Sequence, residues 1–258
     1  MHITRRGTLL LGLSGLATIG GTTIMPYAAR AQDGQGDTYE ADSGQITIRP
    51  ISHASFVMTT PGMTIYNDPV GGAAAYEGQP APDLILITHE HGDHYDAETL
   101  SAIVADNTRL VTNPAVFDML PEGLKSKATA IGNGESTTVD GMEINAIPAH
   151  NTTEGRLQYH PKGRDNGYVL SIDGRRVYIA GDTEDIPEMR ALKDIFIAFV
   201  PMNLPYTMDV DQAASAVAEF APQYVYPYHY RDSDPDAFAA RVRESEAETE
   251  VVMGPWYG

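Results

Sequence analysis

One stretch decides the fold of this chain: Leu84-Ile85-Leu86-Ile87-Thr88-His89-Glu90-His91-Gly92-Asp93-His94. Its four consecutive apolar residues predict a strand that is buried on both faces, as in a sheet covered by other layers. Directly after the strand, three histidines and one aspartate fall within six positions. Imidazole and carboxylate groups are ligands of zinc, iron and manganese. The stretch therefore predicts a metal site at the edge of a sheet.

Further candidate ligands follow the ends of three other predicted strands, at His150, Asp182 and His229. Side chains that start from strand ends are held rigidly, as a metal site requires. The chain has no cysteine, so thiolate ligands, thiol nucleophiles and disulfides are excluded. Histidines and carboxylates at seven positions could together serve two adjacent metals.

The apolar patterns around these ligands predict the layers of the fold. Pairs of strands come first in each half of the chain, and helix–strand units follow. This order predicts two mixed β-sheets packed face to face, with helices outside. We expect helices after Asp96, over Asp209–Phe220 and over Pro235–Arg243.

The charge of the chain limits its partners. With 17 basic and 35 acidic residues, its net charge is −18. Such a surface repels phosphate backbones and anionic lipids, so we expect no nucleic acid as a partner. Hydrophobic residues make up 42% of the chain, which is enough for a sizeable core.

Residues 1–31 resemble a twin-arginine signal peptide. Arg5 and Arg6 precede an apolar, glycine-containing run over Thr8–Met25, and Ala29-Arg30-Ala31 fits a small-x-small cleavage site. The alternative, an uncleaved membrane anchor, is disfavoured because the run is short and glycine-rich. We expect a periplasmic or secreted protein that contacts a membrane only through this segment. Its removal deletes three arginines and takes the net charge from −18 to −21. Residues 32–43 are predicted to be a flexible linker.

The spacing His-x-His-x-Asp-His over 89–94 resembles the hallmark of the metallo-β-lactamase superfamily. The similarity extends from about Gln45 to the C-terminus. It looks closest to the branch that contains L-ascorbate-6-phosphate lactonase and N-acyl-phosphatidylethanolamine phospholipase D. The motifs typical of that branch are His53–Phe56, Asn67–Pro69, His160–Gly163, Tyr178–Glu184, Thr207–Asp209 and Pro227–Tyr230. The resemblance implies an αββα sandwich hydrolase domain over residues 44–258, with a metal cleft at the sheet rim.

The resemblance also implies a set of site residues and two divalent metals, with zinc as the first choice and manganese or iron as alternatives. It assigns His89, His91 and His150 to the first metal. It assigns Asp93, His94 and His229 to the second metal, with Asp182 as a bridge. Asp68 is expected to orient a ligand histidine, or else to be a turn residue before Pro69. His53 and His160 are expected to contact substrate, with structural roles as the alternative.

The implied activity is hydrolysis of a small ester, lactone, amide or phosphodiester. A hydroxide shared by two metals would be the nucleophile, and Asp93 would both ligate and accept a proton. The basic residues Arg156, Lys162 and Arg164 in one loop indicate a substrate with an anionic group, or else a solvated loop.

Three other functions compete with this interpretation. A flavodiiron-type oxidoreductase carries a carboxylate where this chain has His91. A metal-dependent nuclease or phosphodiesterase acting on nucleic acid is disfavoured by the acidic surface. A metal-binding protein without turnover stays open, although the intact Asp93 and Asp182 favour an enzyme.

Overall fold

Two mixed β-sheets pack face to face, as the sequence predicts. The structure, a computed structural model, describes residues 36–257. Within these residues the first sheet contains β1 (Asp37–Glu40), β2 (Gln45–Ser52), β3 (Ser55–Thr59), β4 (Thr64–Asn67), β5 (Leu84–Ile87), β6 (Arg109–Thr112) and β7 (Ala128–Ala130). The second contains β8 (Ser136–Val139), β9 (Met142–Ala149), β10 (Asp165–Ile172), β11 (Arg175–Ile179), β12 (Ile197–Pro201), β13 (Tyr224–Tyr228) and β14 (Glu250–Val251).

The two sheets repeat one topology. In the first sheet, β1 to β4 pair antiparallel and β4 to β7 pair parallel. In the second sheet, β8 to β11 pair antiparallel and β11 to β14 pair parallel. Antiparallel neighbours need only a short turn, whereas parallel neighbours need a longer crossover connection. Each half of the chain therefore begins with hairpins and ends with crossovers, although no short sequence motif repeats between the halves.

Helices cover the outer face of each sheet. They are α1 (Ala97–Ile103), α2 (Pro114–Met119), α3 (Glu122–Lys125), α4 (Pro187–Arg190), α5 (Val210–Phe220) and α6 (Pro235–Glu244). Residues of α1, α2 and α3 pack on the first sheet, and residues of α4, α5 and α6 pack on the second. The predicted Asp96 cap accepts hydrogen bonds from the N–H groups of Glu98 and Thr99. Asp209 caps α5 through a capping box with Gln212. The layers thus form the αββα sandwich.

The strand β5 explains why its sequence is apolar throughout. Leu84 and Leu86 belong to the core between the two sheets, whereas Ile85 and Ile87 belong to the cluster under the outer helices. Successive side chains of a strand point to opposite faces, so a strand between two cores needs apolar residues at every position. The core between the sheets is aromatic in part, with Phe56 stacked on Phe199 at 4.1 Å between ring centroids.

The segment predicted as a linker, residues 32–43, requires a correction where the structure describes it. Asp37–Glu40 form β1, which pairs with β2 at the sheet edge. Tyr39 is buried there, and its hydroxyl lies 2.5 Å from the hydroxyl of Tyr226 in the other sheet. A single buried tyrosine in a polar, glycine-containing stretch gives no strand periodicity, which explains the error.

The predicted signal peptide, residues 1–31, lies outside the described residues. None of the helices in the described part of the chain combines the length and hydropathy needed to span a bilayer.

Candidate metal centre

The candidate ligands collect at one rim because they follow the carboxyl ends of parallel strands. His89 follows β5, Asp182 follows β11 and His229 follows β13. Since β4 and β5 are parallel neighbours, Asp68 at the end of β4 lies beside Thr88 at the end of β5. Strand ends of both sheets therefore contribute to one centre.

Three groups of side chains in the described part of the chain bring their ligand atoms within 4.8 Å of one another. The first group is His89, His91 and His160. The second group is His53, Asp93, His94 and His229. The third group, which links the other two, is His89, His94 and Asp182. Two neighbouring clusters with a shared connection are the arrangement that a two-metal site needs.

Asp182 lies between the two clusters. One of its carboxylate oxygens, Oδ2, is 3.2 Å from His229 Nε2 and 3.4 Å from His160 Nε2. The other oxygen, Oδ1, is 3.4 Å from His94 Nε2. The preceding Gly181 has a φ of 65°, and a Cβ there would lie 2.6 Å from the carbonyl oxygen of Asn166. Glycine is therefore required for the turn that carries Asp182 into the centre.

Asp68 holds the ring of His94. Its Oδ2 lies 2.8 Å from His94 Nδ1 and accepts a hydrogen bond from Thr88 Oγ1, also at 2.8 Å. Its Oδ1 accepts one from the Thr88 N–H. A carboxylate on Nδ1 fixes the ring orientation and leaves Nε2 as the ligand atom.

A second carboxylate, Asp165, holds His160 in the same way, with its Oδ2 2.9 Å from His160 Nδ1. Asp165 is fully buried, and its Oδ1 accepts a hydrogen bond from Arg164 Nε at 2.6 Å. The sequence does not mark Asp165 as a site residue. It is a single aspartate five residues after a histidine, and no spacing rule distinguishes it from an aspartate on the surface.

His150 and His160 are both candidates for the first metal. The resemblance assigns His150 to it, and the structure groups His160 with His89 and His91. Among the described residues His150 Nε2 is buried without a hydrogen-bond partner, as expected for a ligand atom. His150 Nδ1 lies 3.0 Å from the carbonyl oxygen of Asn151, and His150 is in none of the three groups. The loop after it turns back, because the N–H of Asn151 donates to the carbonyl of His160 and the N–H of His160 donates to Asn151 Oδ1. Residue 160 therefore returns to the rim.

Buried ligand atoms in this centre are suited to cations. Within the described residues, Nε2 of His94, His150, His160 and His229 and Oδ1 of Asp182 are buried without a hydrogen-bond partner. Unpaired buried polar atoms are costly, so such atoms need another partner. Divalent metals would satisfy them, and a donor set of imidazoles and carboxylates fits zinc, manganese or iron.

The charges in the centre favour the ligand forms of Asp182 and His89 and the protonated form of His229. Burial alone would raise the pKa of Asp182, but His229 and His94 hold it well below its ordinary value. Burial and the neighbouring His94 lower the pKa of His89 far below its ordinary value. Burial also opposes a charge on His229, yet Asp182 and Asp93 raise its pKa to about 9. A metal that binds His229 near neutral pH must therefore displace a proton.

The entrance of the centre lies around Asp93, whose side chain is 39% exposed. His53 Nε2 is 3.0 Å from Asp93 Oδ2, and His53 Nδ1 is 2.6 Å from the hydroxyl of Tyr257. The His229 N–H donates to the His53 carbonyl, which ties this turn to the second cluster. The sequence does not mark Tyr257 as a site residue, because it is a single tyrosine outside any recognisable motif.

Two of the three basic residues in the loop over 151–166 pair with carboxylates of the protein. Arg156 Nη2 pairs at 2.7 Å with Oε1 of the buried Glu184. Arg164 is held by Asp165 and pairs at 2.8 Å with Glu90. Both arginines thus have carboxylate partners within the protein, and their first role is to fix the loop that carries His160.

The two histidines of this loop make a matched test of the ligand set. We expect His160→Ala to lose roughly one metal equivalent, because one candidate ligand of the first cluster disappears, and with it the ring that Asp165 holds in place. His150→Ala should keep the wild-type metal content. Elemental analysis of both variants, prepared in parallel, makes the comparison. The opposite pattern, with metal lost only in His150→Ala, would show that His150 is the ligand, as the resemblance implies.

Comparison with known proteins places the chain in a family. Residues 47–229 match the family described as the β-lactamase superfamily domain. A UPF0173 metal-dependent hydrolase of Thermococcus onnurineus is 30% identical over 190 residues, which are 70% of this chain and 83% of the relative.

Solved structures agree with this placement. A protein of Parabacteroides distasonis described as a metal-dependent hydrolase is 43% identical with a TM-score of 0.79, covering 86% of this chain and 99% of that one. Igni18, a metallo hydrolase of Ignicoccus hospitalis, is 25% identical with a TM-score of 0.67, covering 81% and 95%. The fold, the clustered ligands and these relatives together show that the chain belongs to the metallo-β-lactamase superfamily, among its UPF0173 metal-dependent hydrolases.

Proposed function

We propose that this chain is a binuclear metal hydrolase that acts on a small molecule. The observation that carries the proposal is the position of Asp182, whose two oxygens lie 3.2 to 3.4 Å from histidines of both clusters. A carboxylate in that position can bridge two cations.

The ligand set follows from the clusters. His89 and His91 would hold one metal together with His160 or, as the resemblance implies, His150, with Asp182 shared. Asp93, His94 and His229 would hold the other. When bound, two divalent metals lower the pKa of coordinated water towards about 7 and polarise the bond to be cleaved.

The residues of the chain supply the remaining functions. Asp68 and Asp165 keep the rings of His94 and His160 in place. Burial raises the pKa of Asp93, but the hydrogen bonds from His229 and His53 lower this pKa by more. The carboxylate is therefore ionised at neutral pH. The Asp93 carboxylate can accept a proton from the attacking water. His53 Nε2 lies 3.0 Å from Asp93 Oδ2 and can accept the proton from Asp93 in turn.

The substrate class is an ester, lactone, amide or phosphodiester, in keeping with the lactonase and phospholipase D branch that the motifs resemble. Zinc-loaded protein should hydrolyse at least one member of a panel of such compounds, and chelator-treated protein should not. Equal rates with and without metal would contradict the proposal. Turnover in this assay also separates an enzyme from a metal-binding protein, and activity restricted to nucleic acids would favour the nuclease alternative.

Export by the twin-arginine route is a further part of the proposal, and it is supported by Arg5, Arg6 and the Ala29-Arg30-Ala31 site. Replacing both Arg5 and Arg6 by lysine keeps the charge but removes the pair that the pathway reads. We expect precursor to accumulate in the cytoplasm, while wild-type protein matures in the periplasm with Gln32 as its first residue. Fractionation and N-terminal sequencing provide the readout. Normal maturation of the lysine variant would show that another route exports the protein.

A further inference from the structure

An exposed guanidinium lies at the entrance of the metal centre. Arg231 comes two residues after His229, and its side chain is 54% exposed. Its Nη2 lies 3.8 Å from Asp93 Oδ2, which is too far for a hydrogen bond. Within the described residues this side chain makes no hydrogen bond, although a guanidinium carries five N–H donors. The donors of Arg231 are therefore available to a ligand beside Asp93.

The backbone of Arg231 is held in an uncommon conformation. Its φ is 40°, in the left-handed region that arginine seldom occupies. Its N–H donates a hydrogen bond of 3.0 Å to the hydroxyl of Tyr257, which also contacts His53 Nδ1. The His53 N–H in turn donates to the carbonyl of Trp256. The C-terminal segment thus fixes the start of the Arg231 side chain relative to the entrance.

Arg231 differs from the two arginines of the basic loop. Arg156 pairs with the buried Glu184, and Arg164 pairs with Asp165 and Glu90. The protein as a whole carries a net charge of −18, so its average field repels anions. A cation that lies next to a candidate metal ligand can offset this field locally.

We infer that Arg231 binds an anionic group of the substrate, a carboxylate or phosphate, next to the bond that is cleaved. This inference rests on the proposed function, because the proposed metals would hold the other end of the substrate. The planar fork of a guanidinium matches two oxygens of a carboxylate or phosphate. A metal on Asp93 would balance the charge of that carboxylate and leave the guanidinium to the substrate.

Dicarboxylates test the inference without turnover. Malonate, succinate and glutarate carry one carboxylate for the metals and a second for Arg231, whereas acetate carries only the first. Calorimetric titration of zinc-loaded wild-type protein should show at least one dicarboxylate binding more tightly than acetate. Arg231→Gln should lower the affinity for that dicarboxylate by about 5- to 20-fold, the effect of losing a charged hydrogen bond at a part-exposed site. Its acetate affinity should change less than about twofold.

Matched variants separate the local contact from the general field. Arg243→Gln removes the same charge from an exposed position on α6 and should bind like the wild type. Arg231→Lys keeps the charge without the fork and should retain part of the affinity. Tyr257→Phe loses the hydroxyl that accepts from the Arg231 N–H, so it should show an intermediate loss.

Two results would overturn the inference. One is a wild type that binds no dicarboxylate more tightly than acetate, and the other is an Arg231→Gln variant that binds dicarboxylates as well as the wild type does. Zinc content measured on the same samples distinguishes these results from a failure of the proposed function. If wild-type protein holds no zinc, the metal proposal fails and the role of Arg231 fails with it.

Discussion

Asp182→Ala is expected to lose most of its bound metal and all measurable hydrolysis together. Asp182 is almost fully buried, and its carboxylate lies within 3.2 to 3.9 Å of four histidine Nε2 atoms from both clusters. Removing it takes a ligand and a negative charge from both metals at once. Metal content by elemental analysis and steady-state rates should be measured on the same preparation.

The control for this variant is Asp118→Ala, which removes an exposed aspartate from α2. It should keep the wild-type metal content and rate. Circular dichroism should show that Asp182→Ala retains its secondary structure, so that loss of metal is not loss of the fold. An Asp182→Ala variant that binds two metals normally would exclude Asp182 as the bridge.

Asp93→Asn is expected to keep most of its metal and to lose turnover by about 10²–10⁴-fold, the range for general acid–base catalysis. The amide retains the shape of the side chain and one oxygen for the metal. It cannot accept the proton of the attacking water, and it no longer pairs as a carboxylate with His53. Because the proton transfer belongs to the chemical step, kcat should fall much more than KM changes.

Asp118→Asn provides the matched control, because it makes the same chemical change at an exposed position outside the three ligand groups. Near wild-type turnover by Asp93→Asn with both metals bound would show that another group takes the proton. A loss of metal equal to that of Asp182→Ala would instead show that Asp93 acts mainly as a ligand.

The parts of the fold that sequence predicts have a strong local signal. The run Leu84–Ile87 is apolar at every position because cores lie on both of its faces. The helices α1 and α5 can be predicted from their N-cap residues, Asp96 and Asp209, and from an apolar face. Short elements such as α3, α4 and β7 have three or four residues each and show no periodicity. They form because their tertiary surroundings favour them, which a local pattern does not reveal.

The site residues also divide into those with a strong local signal in the sequence and those without one. The cluster over 89–94 is dense enough in sequence to predict a metal centre, and the structure brings Asp182 and His229 to it. The choice between His150 and His160 depends on how one loop turns back, through hydrogen bonds between Asn151 and His160. Arg231 is recognised as a site residue only because it lies close to Asp93 in the structure. The spacing of the two residues in the sequence does not predict this proximity.

The metal content of the wild-type protein tests the central claim most directly. Protein purified without chelator, or reconstituted with zinc and then freed of excess metal, should be analysed for transition metals per chain. Two clusters joined by Asp182 predict close to two equivalents. A reproducible value near zero after reconstitution would contradict the metal centre itself, and a value that stays at one would contradict its binuclear form.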